Sequence, residues 1–68
     1  MKFPYYYKEE IELPYGGYTG VIIYIDEKGY EHSQYTEDIS QMYAMEMILD
    51  DLGYQENIEK YKYTRKEN

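Results

Sequence analysis

Hydrophobic and polar positions follow three different rhythms along this chain. From Phe3 to Leu13 they alternate: Phe3, Tyr5, Tyr7, Ile11 and Leu13 share one parity, with Glu9 the exception, and Tyr6, Lys8, Glu10 and Glu12 share the other. Period-two alternation predicts a half-buried strand with the odd set towards the core and the even set towards water. Pro4 lies near its start, where a missing N–H is tolerated. The run Tyr18 to Ile25 is apolar on both parities, Val21, Ile23 and Ile25 on one face and Ile22 and Tyr24 on the other. Apolar residues on both faces predict a central strand covered on each side. Pro14-Tyr15-Gly16-Gly17 joins the two as a turn, because proline fixes one φ and Gly-Gly supplies positive ones.

Asp26-Glu27-Lys28-Gly29 predicts a type I turn closed by a left-handed glycine. Tyr30 to Tyr35 returns as a polar strand, the pattern of a sheet edge or of an early exit from the sheet. The third rhythm is helical. Met42, Met45, Leu49 and Leu52 form a stripe at about 100° per residue, flanked by Ile39 and Ile48. Thr36 or Asp38 is placed to cap its start, and Gly53 to stop it. Tyr54, Ile58 and Tyr61 have helical spacing, whereas Tyr61 and Tyr63 alternate with Lys60 and Lys62 as in a strand; the preference of Tyr and Thr for a pleated surface favours a last strand over 58–64.

The expected fold is therefore α+β in the order β-β-β-α-β. A small antiparallel sheet of three or four strands carries the helix Ile39–Leu52 on one face. Residues 1–64 make a single domain and 65–68 a frayed basic tail. Val21, Ile23, Ile25, Met42, Met45, Leu49 and Leu52 are its expected core.

Composition alters this picture in two ways. Leu, Ile, Val and Phe together number 12 of 68 residues and the net charge is −7, a balance that leans towards disorder. Twelve tyrosines reverse that lean, since each ring buries a large apolar area while its hydroxyl reaches a polar partner. With no cysteine, neither a disulfide nor a thiolate metal site is available. No window approaches a membrane span or a secretory leader, so the expected setting is the cytoplasm, with no membrane partner.

The charge is unevenly placed. Residues 1–59 carry 13 acids and three bases, whereas residues 60–68 carry four bases and one acid. An acidic body repels phosphates, which argues against direct nucleic-acid binding. Catalysis would have to start from His32, the one histidine, which lies on a polar strand where a surface role is the ordinary one. Asp26-Glu27 and Asp50-Asp51 lack the alternating oxygen ligands of a calcium loop, so no metal or other cofactor is expected. Asp50 and Asp51 also stand at the helix end where negative charge is unfavourable, a cost that a basic partner would offset. Carboxylates at Glu9, Glu10, Glu12, Asp26, Glu27, Glu31, Glu37, Glu46, Asp50 and Asp51 on a rigid scaffold can imitate a phosphate row, and the bland alternative is an acidic surface kept for solubility. Tyr43 and Met47 occupy the helix side away from the expected core, where an apolar patch favours self-association into a homodimer or docking of a partner.

Size, charge, the Asp26-Glu27-Lys28-Gly29 hairpin, the following Tyr30-Glu31-His32 and a single helix after it resemble the small acidic inhibitors encoded by bacteriophages. Those include anti-CRISPR proteins and inhibitors of uracil-DNA glycosylase, several of which imitate DNA. The resemblance implies a non-catalytic, protein-binding inhibitor from a phage or other mobile element, working in the host cytoplasm. Its partner would be a host defence or DNA-processing enzyme with a basic nucleic-acid-binding groove. Docking would use Glu9, Glu10, Glu12, Asp26, Glu27, Glu31, Asp50, Asp51, Tyr43 and Met47. A second resemblance is to antitoxins of the HicB type. Gly16-Gly17-Tyr18 before a strand, then a hairpin and a helix opening at Thr36-Glu37-Asp38, is similar to their partial RNase H-like domain, although the Pro-Gly-Cys-like turn between strands is absent. It implies an antitoxin or adaptor module that binds its partner through a Tyr-rich surface.

Overall fold

The computed structural model describes residues 3–67, so the first two residues of the expected domain and Asn68 of the expected tail lie outside it. The order is β1 (Tyr5–Glu12), β2 (Tyr18–Ile25), β3 (Glu31–Thr36), α1 (Ile39–Asp51), β4 (Gln55–Glu56), a 3-10 turn (Ile58–Lys60) and β5 (Lys62–Arg65). The small α+β fold stands.

The sheet is mixed, however, and not antiparallel throughout. Its order is β3-β2-β1-β4, with β5 also on β1. β1 pairs with β2 antiparallel from Tyr5 opposite Ile25 to Glu12 opposite Tyr18, and β3 is antiparallel to β2. β4 and β5 both run parallel to β1, on Tyr5–Tyr6 and Glu9–Glu12 respectively. The single last strand expected over 58–64 is thus split. Residues 58–60 turn, and the pairing resumes through Arg65, where the peptide N–H of Lys66 still donates to Glu12 O at 2.8 Å. The frayed tail does not begin at 65.

β1 and β3 are both antiparallel to β2, so β3, α1 and β4 form a parallel crossover over β2 and β1. Such crossovers are right-handed in about 98% of cases, so topology rather than apolarity selects the face that the helix covers. That face is the even-numbered one. Tyr6, Ile22, Met42 and Leu49 form the core, each 0–1% exposed, with Tyr24, Ile39, Met45 and Tyr54 packed around them. The alternation in β1 is therefore correct, but its assignment is reversed, and Tyr6 rather than Tyr5 or Tyr7 is the residue under the helix.

Gly20 helps to make this face habitable. A Cβ there would lie 2.7 Å from Met42 Cε and 2.2 Å from Glu9 O, so any side chain would push helix and strand apart. Val21, Ile23 and Ile25 lie on the other face, where Ile23 and Ile25 are buried as expected, at 8% and 6% exposed, and Val21 is half-buried; Leu52, expected in the core, is 65% exposed as the residue that caps the helix C-terminus. Ile48 is also exposed.

Local expectations hold where one residue decides them. Asp38 is the N-cap, its carboxylate accepting from Gln41 N–H at 2.9 Å. Thr36 instead is buried and donates to Gly20 O. Gly29 closes the second turn at φ 89°, donating to Asp26 O at 2.9 Å. β3 lies at the sheet edge, exposed from Glu31 to Tyr35.

Candidate functional site

The helix-bearing side holds a compact group of charges. Lys8 rises from β1 beside the core, and its Nζ lies 3.1 Å from Glu46, 3.6 Å from Glu56 and 4.0 Å from Glu10. These carboxylates come from α1, β4 and β1, so the tertiary fold assembles the group. Tyr6 adds a fourth acid, its hydroxyl donating to Asp50 at 3.0 Å and reaching Glu46 at 3.5 Å. The Tyr61 ring lies 5.9 Å from Lys8 Nζ. Further along the same side of β1, the Tyr63 hydroxyl donates to Glu12.

The side chains of Lys8, Glu46 and Glu10 are only 13%, 14% and 16% exposed, so water screens them weakly. Burial alone would lower the Lys8 pKa, but the hydrogen bond and charge of Glu46, with Glu56 and Glu10, outweigh it and the net direction is upward. Burial, then the hydrogen bond to Asp50, drives the Tyr6 hydroxyl far above its ordinary range, so it stays a neutral donor. One ammonium faces three glutamates, with Asp50 on a phenol beside them. The group keeps an excess of negative charge, in side chains already held in place. Among the described residues no set of three or more His, Cys, Asp or Glu is placed to hold a metal ion, and at this cluster the ammonium of Lys8 takes the central position.

The expected docking residues do not share one surface. Glu10 and Glu12 fall on the helix side, next to Glu46, Asp50 and Glu56. Asp50 has an internal reason for its place at the helix end, because it accepts from Tyr6. Asp51 is exposed on the same helix, and Tyr43 and Met47 are 56% and 66% exposed on its outer side. Glu9 and Glu31 stand on the opposite face of the sheet.

Asp26 and Glu27 belong to the β2–β3 turn, and Asp26 is occupied there. Its carboxylate accepts from the N–H groups of Lys28 and Tyr30 and faces His32 Nε2 at 2.9 Å. The His32 hydrogen bond is the main cause of its lowered pKa. His32 also stacks on Tyr24 at 4.9 Å. A shallow cavity of about 440 Å³ opens beside this turn, lined by Asp26, Glu27, Lys28, Tyr30, Leu52 and Tyr54. Glu56 and the organising role of Lys8 escape sequence reasoning, because both depend on β4 returning beside β1. The signal present in sequence is one lysine isolated among acids on a strand.

Among the described residues no helix is long and apolar enough to cross a membrane. The chain matches no protein-family model, no curated protein and no solved structure.

Proposed function

We propose that this protein is a non-catalytic, protein-binding inhibitor, of the kind encoded by phages and other mobile elements, acting in the host cytoplasm. Its helix-bearing acidic side would occupy a basic nucleic-acid-binding groove of a host defence or DNA-processing enzyme. The observation that carries this reading is the ordered carboxylate group of Glu10, Glu46, Asp50 and Glu56, extended along β1 by Glu12. Acids already fixed by an internal lysine and a tyrosine lose little side-chain freedom on binding, which removes one of the costs of association. Arginine and lysine in a groove would meet charge-assisted acceptors on one rigid surface.

Capture of partners from bacterial lysate by the tagged protein, with and without nuclease, tests this together with Glu10→Gln/Glu12→Gln/Glu56→Gln. The expected result is a nucleic-acid enzyme that DNA or RNA displaces. The triple variant should bind it more than ~10-fold more weakly, about 1.4 kcal/mol. Binding should also fall steeply as salt rises. A folded triple variant that binds as tightly as the parent removes the acidic-groove reading.

One observation favours a second reading, an antitoxin-like or adaptor module. Tyr43 and Met47 stand exposed on the outer side of α1 as an apolar patch for a protein partner. Binding of that kind should depend weakly on salt and be lost on Met47→Glu.

A further inference from the structure

β2 is apolar on both faces, and α1 covers only one; on the other, Ile23 and Ile25 are 8% and 6% exposed, and the surface offered to a partner is made by half-buried Tyr5, Tyr7 and Ile11 with exposed Phe3 and Tyr35. On the helix-free face Tyr5, Tyr7 and Ile11 of β1 lie in register beside Ile25, Ile23 and Thr19 of β2, with Val21 between. Phe3, 52% exposed, stacks on Tyr5, and the hydroxyl of Tyr35 of β3, 59% exposed, is hydrogen-bonded to Thr19 Oγ1 at 2.8 Å. No described element crosses this face.

Its margins carry opposite charges at the same height along the strands. Glu31 on β3 is in register with Ile25, which is in register with Tyr5. Beyond β1, Lys60 Nζ sits 5.6 Å and 5.3 Å from the Tyr5 and Tyr7 ring centroids. Both charges act on the Tyr7 hydroxyl, which burial and then Glu31 raise and Lys60 pulls the other way.

We infer that a second copy of this chain covers the helix-free face, sheet on sheet, about a two-fold axis running along the strands. That axis lays the β3 margin of one copy over the β4–β5 margin of the other and preserves height. Glu31 of each copy then meets Lys60 of its partner, twice per dimer. An axis across the strands would set β3 on β3 and leave the charges unmatched. Glu9, the acid within the face, is in register beside Lys62 of β5. Packed sheets lie about 10 Å apart, so the rings of Phe3, Tyr5, Tyr7 and Tyr35 from both copies would fill one shared layer over the already buried Ile23 and Ile25. Both helix-bearing acidic sides stay outward, and the inference does not depend on what they bind.

Sedimentation of the full chain and three variants tests the arrangement, with folding checked by circular dichroism. Glu31→Lys changes the net charge from −7 to −5 and Lys60→Glu changes it to −9. General repulsion between acidic chains would make the first variant associate more strongly and the second less. Facing Glu31 and Lys60 instead predict that each single variant weakens the dimer by more than ~10-fold. The double variant Glu31→Lys/Lys60→Glu, again at −7, should restore it. A parent chain that stays monomeric at high micromolar concentration overturns the inference. So does a double variant no tighter than the singles, or a dimer indifferent to both charges and lost on Met47→Glu.

Discussion

Lys8 stands as a single ammonium among Glu10, Glu46 and Glu56, with Asp50 close by on Tyr6. Lys8→Ala leaves those acids facing one another, so the loss should exceed that of an exposed ion pair. We expect roughly 1–3 kcal/mol of destabilisation, less than the ~3–5 kcal/mol of a fully buried pair because Glu56 and its neighbours retain some contact with water. Chemical denaturation with urea at low and high salt checks this, since added salt should shrink the loss by screening the carboxylates. Asp38 gives a different pH signature. The Ser40 hydroxyl and then the Gln41 N–H hold its carboxyl below the ordinary 3.8. A lowered folded value contributes stability that is present above 3.8 and disappears as pH falls through that lowered value. Asp38→Ala should therefore lower the thermal midpoint at neutral pH, and the gap to the parent should narrow in acid. A gap constant from neutral pH down into strong acid would remove Asp38 as the charged cap.

Among the elements, α1 separates its apolar residues sharply. Leu49 is 1% exposed and Leu52 65%, although they sit three residues apart on the same predicted stripe. Leu49→Ala should cost roughly 2–5 kcal/mol, a large share of the stability of so small a domain. Leu52→Ala should stay within about 0.5 kcal/mol. Equal thermal midpoints for the two variants would mean that the helix is rotated from the position described. The stripe was legible because 3.6-residue periodicity depends on local geometry alone. The exposure of its last member was not, because Leu52 is the C-cap, past the last helical residue Asp51. The strands show the same division. Alternation marked β1 and the two-faced β2, while the inward side of β1 was decided by the crossover from β3 to β4.

At the scale of the whole molecule, the sheet divides the acids. Glu10, Glu12, Glu46, Asp50 and Glu56 stand on the helix side, and Glu9 and Glu31 on the other. Docking through the helix side predicts that Glu9→Gln leaves partner affinity unchanged where Glu10→Gln/Glu12→Gln/Glu56→Gln reduces it. A pull-down titration of both variants makes that comparison. Equal losses would point to net charge rather than a particular surface. The same division leaves the Tyr5–Ile25 side with little charge at its centre and opposite charges at its margins, the condition for self-pairing.

The chain by itself determined the order β-β-β-α-β, both hairpin turns, the Asp38 cap, the Gly53 stop and the polar edge strand. Each rests on contacts within a few residues, or on a period that the backbone imposes. Only the tertiary structure decided that the last strands run parallel to β1, that Tyr6 and not Tyr7 is buried, and that Lys8 gathers acids from three elements. Alternation states that a strand has two faces and is silent on which one a distant helix will cover. That choice belongs to the handedness of a crossover spanning two strands, and the charge cluster and the helix-free face both follow from it.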